Sequence, residues 1–165
     1  MSITQTWLDQ GHRFDDLAAW DKLCHWLDLR PGKSAYVRDV REEWAPLLYD
    51  SRGARHQRDT WDRLELCPVF FVRERGWCLH TDWLQRLTLL QTKDATAIAT
   101  HLSVTVTKRE AKFIKRLTTG VADVYVCDLC RARGATARAI VHLPSCLIAE
   151  MRVRIAAVQA GQLKP

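Results

Sequence analysis

Apolar residues recur at three- and four-residue spacing between residues 14 and 29, where Phe14, Leu17, Ala18, Trp20, Leu23, Cys24, Trp26 and Leu27 fall on one side. That period predicts an amphipathic helix, with Asp15 and Asp16 near its positive end and Pro31-Gly32 as its stop. Ser34 can cap a second helix whose stripe is Tyr36, Val37, Val40, Trp44 and Leu47, with Pro46 bending or ending it. A turn at Asp50-Ser51-Arg52-Gly53 leads into a third helix over residues 54–66, which sets Arg52, Arg55, His56, Arg58 and Arg63 beside Trp61 and Leu64. The period then changes. Pro68-Val69-Phe70-Phe71-Val72 and Trp77-Cys78-Leu79-His80, joined through Arg73-Glu74-Arg75-Gly76, predict a β-hairpin. Three helices followed by a hairpin is a winged helix-turn-helix layout, in which the third helix enters the major groove and the hairpin touches the backbone.

Beyond the hairpin, Thr81-Asp82-Trp83-Leu84 opens a helix to about Gln91, and Asp94 can cap another through Leu102. Thr107-Lys108-Arg109-Glu110 has the form of a capping box. The helix it predicts runs to Thr119 and ends at Gly120, with Ala111, Ile114 and Leu117 on one side, Phe113 beside them, and Lys108, Lys112, Lys115 and Arg116 elsewhere. Val124-Tyr125-Val126 reads as a short strand. Gly134 suits a turn, residues 136–143 can return as a second strand, and Pro144 suits the first turn of a helix over residues 145–160. The predicted class is mainly α, with a short winged-helix-like hairpin and a C-terminal zinc-binding element. The predicted segments are a helical winged helix-turn-helix-like domain over 1–91, a helical connector with a basic helix over 92–120, and the zinc element with the last helix over 121–165.

The zinc expectation comes from spacing. Cys127-Asp128-Leu129-Cys130 is followed after eleven residues by His142 and after three more by Cys146. A Cys-x2-Cys knuckle supplies two ligands from one tight turn, and a later pair closes a tetrahedral site. Cys146, at the start of the last helix, would feel a dipole and nearby Arg charges that favour thiolate.

Charge sharpens this. Residues 1–100 hold 14 Lys and Arg against 15 Asp and Glu, whereas residues 101–165 hold 11 against 4, so the excess positive charge of the chain lies in the segment that carries the cysteines. Such a segment suits phosphate contact. The candidate nucleic-acid contacts are Lys108, Lys112, Lys115, Arg131, Arg133 and Arg138 for phosphate, and Arg52, Arg55 and Arg58 for bases. The seven tryptophans, all between residues 7 and 83, read as core.

Other classes are disfavoured. No apolar run approaches the roughly 20 residues of a bilayer span, and the first ten residues lack the basic and apolar regions of a secretory signal. A cytoplasmic protein is therefore expected, in which clustered cysteines mean metal or redox chemistry rather than disulfides. Cys24-His25 and Cys78-x-His80 lie in apolar surroundings that suit structural residues better than a catalytic dyad. There is no phosphate loop, no His-Glu-x2-His and no zinc-deaminase motif, so no enzyme is expected.

Val106-Thr107, Gly120-x6-Cys127-x2-Cys130 and Cys146 resemble the zinc-binding end of the FlhC family of flagellar transcriptional activators, in which a helix ends at a Gly, six residues lead to a Cys-x2-Cys and a second cysteine pair follows. Ser51-Arg52-Gly53 and Thr81-Asp82-Trp83 resemble stretches of that family in the same order, so the likeness spans about residues 51–149. The family closes its site with a second Cys-x2-Cys, but Ala149, which cannot ligate, stands at the last position here, so either His142 is the fourth ligand or the site is incomplete. The resemblance implies a helical transcription activator that binds double-stranded DNA, works with a small helical partner and contacts RNA polymerase. Two alternatives stand beside it. One is a zinc-stapled protein-interaction module. The other follows Thr107-x-Arg109-Glu110-x2-Phe113-Ile114-x2-Leu117-x2-Gly120, which resembles the opening of a LuxR-type helix-turn-helix, with Thr136 near the start of its recognition helix, Cys127 and Cys130 in a helix core, and no metal.

Overall fold

In a computed structural model of the protein, residues 2–49 and 51–165 are described; Met1 and Asp50 lie outside the described residues. The chain divides into two compact units, residues 1–93 and residues 94–164, and helices make up about half of it.

The first unit runs α1 (Ile3–Asp9), α2 (Leu17–Asp28), β1 (Ser34–Ala35), α3 (Ala45–Leu48), α4 (Arg52–Arg63), β2 (Val69–Val72), β3 (Gly76–Leu79) and α5 (Trp83–Thr92). Asp16 caps α2 by accepting from the Ala18 and Ala19 amides, and Ser51 caps α4 by accepting from Ala54. Trp20, Leu23 and Leu27 of α2 are buried with Leu47, Leu48, Trp61, Leu64 and Leu66. Trp20 and Trp61 meet edge to face at 5.1 Å. Trp7, Trp20, Trp44, Trp61 and Trp83 are buried as expected of core residues, while Trp26 and Trp77 are half-buried.

The predicted second helix does not form. Ser34 instead begins an edge strand whose residues pair with Cys78 and Trp77, and the segment after it makes one 3-10 turn at Val37–Asp39 before the short α3. The β-branched Val37 and Val40, with Pro46 ahead, leave too short a run to repay helix nucleation. The turn expected at Ser51-Arg52-Gly53 is the cap and first turn of α4, and α1 was not anticipated, since its few apolar residues make no repeat. The hairpin does form, and β1 joins it to give a sheet of order β1-β3-β2, antiparallel throughout. Gly76 makes the third strand possible. Its φ is +76°, and a Cβ there would lie 2.3 Å from the Ala35 carbonyl oxygen. Gly76→Ala should therefore cost the first unit about 1–3 kcal/mol from backbone strain alone, read as a lower denaturation midpoint.

The second unit holds α6 (Ala95–Phe113), β4 (Ile114–Thr118), β5 (Asp123–Cys127), β6 (Arg133–Gly134) and α7 (Leu147–Gln159). Asp94 caps α6 as expected, but the helix does not stop at Leu102. It continues to Phe113, so Thr107 is an interior residue, its hydroxyl donating to the Ser103 carbonyl, and the capping box is not used. Ile98, Leu102 and Val106 of α6 are buried with Ile148, Met151 and Val158 of α7, and Glu110 accepts an ion pair from Arg152 across the two helices.

Ile114 to Thr118 is a strand rather than the end of a basic helix. It pairs antiparallel with β5, and Lys115 and Arg116 stand opposite Val126 and Tyr125. The five β-strand partners on β5 and the β-branched ends of both segments favour the hairpin over helix continuation. Residues 136–143 do not return as a strand. Only Arg133–Gly134 pairs with β5, and a 3-10 turn, Ala137–Ala139, follows, packed so closely that a Cβ on Gly134 would lie 2.8 Å from the Ile140 nitrogen.

Candidate metal centre

Four elements deliver four donor atoms to one point. Cys127 is the last residue of β5, Cys130 closes the turn after it, His142 lies in the loop that follows the 3-10 turn, and Cys146 is the N-cap of α7. Their three sulfurs and the His142 nitrogen lie within 4.8 Å of one another. Backbone bonds shape the knuckle: the Arg131 amide donates to the Cys127 carbonyl at 2.8 Å, and the Cys127 amide donates to Ala132 at 3.0 Å. Arg131 accepts a left-handed φ of +62° to complete this turn. The Asp128 amide donates to the Phe113 carbonyl, which fastens the knuckle to the end of α6.

The spacing of the donors fits a tetrahedral metal site. With metal–sulfur bonds of about 2.3 Å and metal–nitrogen bonds of about 2.0 Å, a tetrahedral centre sets its sulfurs about 3.8 Å apart and sulfur from nitrogen about 3.5 Å. The Cys127 and Cys146 sulfurs are 3.9 Å apart, and His142 Nδ1 is 3.5 Å from both Cys130 and Cys146. Nδ1 is thus the atom that would ligate a metal held here, while Nε2 is buried without a hydrogen-bond partner.

Local donors tune the thiols. Burial pushes Cys130 up, but the amides of Ala132 and Leu143, with His142 and Cys127, outweigh it and bring the thiol down to about 6. Cys146 is raised, chiefly by burial and also by the neighbouring sulfurs, although the Ile148 and Ala149 amides at the start of α7 oppose this.

The alternative in which Cys127 and Cys130 are core residues of a helix is overturned. One ends a strand and the other lies in a turn, and Thr136 caps a single 3-10 turn, not a recognition helix.

The candidate nucleic-acid residues divide. Lys108 and Lys112 are exposed on α6, Lys112 lying over the Phe113 ring, and Arg133 and Arg138 are exposed beyond the knuckle. Among the described residues none of these four has a carboxylate within ion-pair distance. Lys115 and Arg131 are exposed but share Asp128, at 2.6 and 3.8 Å. Asp128 was not singled out from sequence; an acid placed between two cysteines in a basic segment was the available signal. Arg52 and Arg55 are exposed on α4, beside an open concavity of about 530 Å³ that His56 and Asp59 also line. Arg58 is a correction. It is 9% exposed, donates to the Leu47 carbonyl and stacks over the Trp77 ring at 5.1 Å, so it braces the core and does not face a partner.

Among the described residues no helix is long and apolar enough to cross a membrane. Comparisons of the chain with protein-family models, with curated proteins and with solved structures find no match.

Proposed function

We propose that the protein is a DNA-binding transcriptional regulator whose second unit is held together by one structural zinc ion on Cys127, Cys130, His142 and Cys146. Three thiols and an imidazole with no position left for substrate suit a structural rather than a catalytic zinc. The reading of nucleic acid rests on one observation. In the second unit Glu110, Asp123, Asp128 and Glu150 are all engaged in ion pairs with Arg152, Arg116, Lys115 with Arg131, and Arg154. Asp94 caps α6. The acids are therefore neutralised in place, and among the described residues the remaining exposed cations Lys108, Lys112, Arg133, Arg138 and Lys164 have no carboxylate of their own unit within ion-pair distance. A polyanion supplies that charge.

The first unit supports the same reading. Between α1 and α5 its order of helix, strand, helix, helix and hairpin, with the early strand added beside β3, is compatible with a winged helix in which the start of α4, carrying Arg52 and Arg55, approaches bases. By the resemblance over residues 51–149, the regulator would act with a helical protein partner and with RNA polymerase.

With about five phosphate contacts, log K for duplex DNA should fall against log salt with a slope of about −4 to −5. Fluorescence anisotropy across a salt series measures this, and a flat response sinks the reading. A second reading, a zinc-stapled protein-interaction module, is favoured by the exposure of Val121 and Val141, 98% and 86%, on the same unit. Replacing Arg131, Arg133 and Arg138 together by Ala separates the two. Loss of DNA retention supports the first, whereas unchanged retention with loss of a protein partner supports the second.

A further inference from the structure

We propose that hydroperoxides oxidise the metal centre at Cys130, closing a Cys127–Cys130 disulfide that expels the metal. The proposal rests on the metal reading above and adds a chemical fate for the site.

The four ligands are not equally accessible. Cys127 is 0% and Cys146 3% exposed, whereas Cys130 is only half-buried, in a turn flanked by the exposed Leu129 and the exposed Arg131 side chain. An oxidant from solvent therefore meets Cys130 first. The resolving sulfur is already near. Cys127 belongs to the same knuckle, its sulfur lies within 4.8 Å, and the Arg131-to-Cys127 backbone bond keeps the two residues curled together. Cys146 and His142 arrive from a separate segment, so a bond inside the knuckle leaves them behind.

The chemistry balances with the hydroperoxide as oxidant. The Cys130 sulfur attacks the peroxide oxygen; the S–O bond forms, the O–O bond breaks, and the leaving alkoxide or hydroxide takes a proton from water. The Cys127 sulfur then attacks the sulfenic sulfur; the S–S bond forms, the S–O bond breaks, and hydroxide departs as water. Two electrons pass from the two thiolates to the peroxide, which becomes an alcohol, or water, and a further water. Only Cys146 and His142 then remain, too few for a tetrahedral site.

Elsewhere the chain resists this reaction. Cys24, Cys67 and Cys78 are at most 1% exposed. Burial is the main force raising the Cys24 and Cys67 thiols, the latter to about 12, which keeps both protonated and unreactive.

The test uses the zinc-loaded full chain and hydrogen peroxide, with released zinc followed by a colorimetric chelator and disulfides mapped by mass spectrometry after trypsin. Both knuckle cysteines fall in one tryptic peptide, residues 117–131, and Cys146 in another. One zinc released per peptide that has lost two hydrogens is the expected result, with release slowed about tenfold in Cys130→Ser because a hydroxyl is a far weaker nucleophile than a thiolate. Should that variant fail to load, the mapping of the unaltered chain decides alone. Zinc retained under peroxide, or lost with a cross-link to Cys146 or with sulfinate only, overturns the proposal and leaves the metal reading intact. A chain that purifies without zinc and takes none up overturns the metal reading, and this proposal with it.

Discussion

Removal of the metal is expected to erase the helical circular dichroism of α6 and α7 while leaving tryptophan fluorescence unchanged. The two probes separate because all seven tryptophans lie between residues 7 and 83, within the first unit, whereas all four ligands lie in the second. A structural zinc contributes about 10–16 kcal/mol of apparent binding energy at neutral pH. A whole domain is stable by only about 5–15 kcal/mol, so the second unit should not survive the loss. Its own core is thin: Ile98, Leu102, Val106, Ile148, Met151 and Val158 line the helix pair, and Val126 with Ile140 does little more for the sheet. Chelator titration with both signals recorded measures the effect, and Cys127→Ser and Cys146→Ser should each reproduce it. If neither signal moves, the cluster is not a structural metal site.

Arg58→Ala should destabilise the first unit by about 3–5 kcal/mol without weakening any DNA binding that the intact chain shows. The guanidinium loses a charge-assisted bond, worth about 1.5–3 kcal/mol, and the Leu47 carbonyl is left buried without its donor. The cation–π contact with Trp77 adds up to about 2 kcal/mol when desolvated, as here. Denaturant unfolding followed by tryptophan fluorescence reads the loss. DNA affinity measured well below the new midpoint reads the second half, and a large drop there would place Arg58 in contact with nucleic acid after all.

The cluster of Cys127, Cys130, His142 and Cys146 was legible because its information is local. A turn of fixed geometry dictates Cys-x2-Cys, and His142 and Cys146 keep the short separation that one loop can span. The tryptophan core and the helices around Trp20, Trp61 and Trp83 were legible for a similar reason, since large apolar residues at helical spacing have few other places to go. The misread segments are those where tertiary pairing outweighed the local pattern. Ser34 and Ala35 have no strand signal of their own and become a strand only because β3 offers an open edge. Thr107 to Glu110 form a good capping box, but the preceding residues 95–106 already make a helix that buries Ile98, Leu102 and Val106, and breaking it there would expose that face. Arg58 looks like its neighbours Arg52 and Arg55 in sequence. Only the approach of Leu47 and Trp77, eleven residues before it and nineteen after, turns it inward.

The bond from Asp128 to the Phe113 carbonyl has a mechanical consequence. Nineteen residues of unbroken helix make α6 a rod of about 28 Å. Its far end is clamped to the knuckle, so a rotation of about 5° at the clamp displaces the Asp94 end by about 2.5 Å. A small change at the knuckle is therefore expressed as a larger one at the other end of the helix.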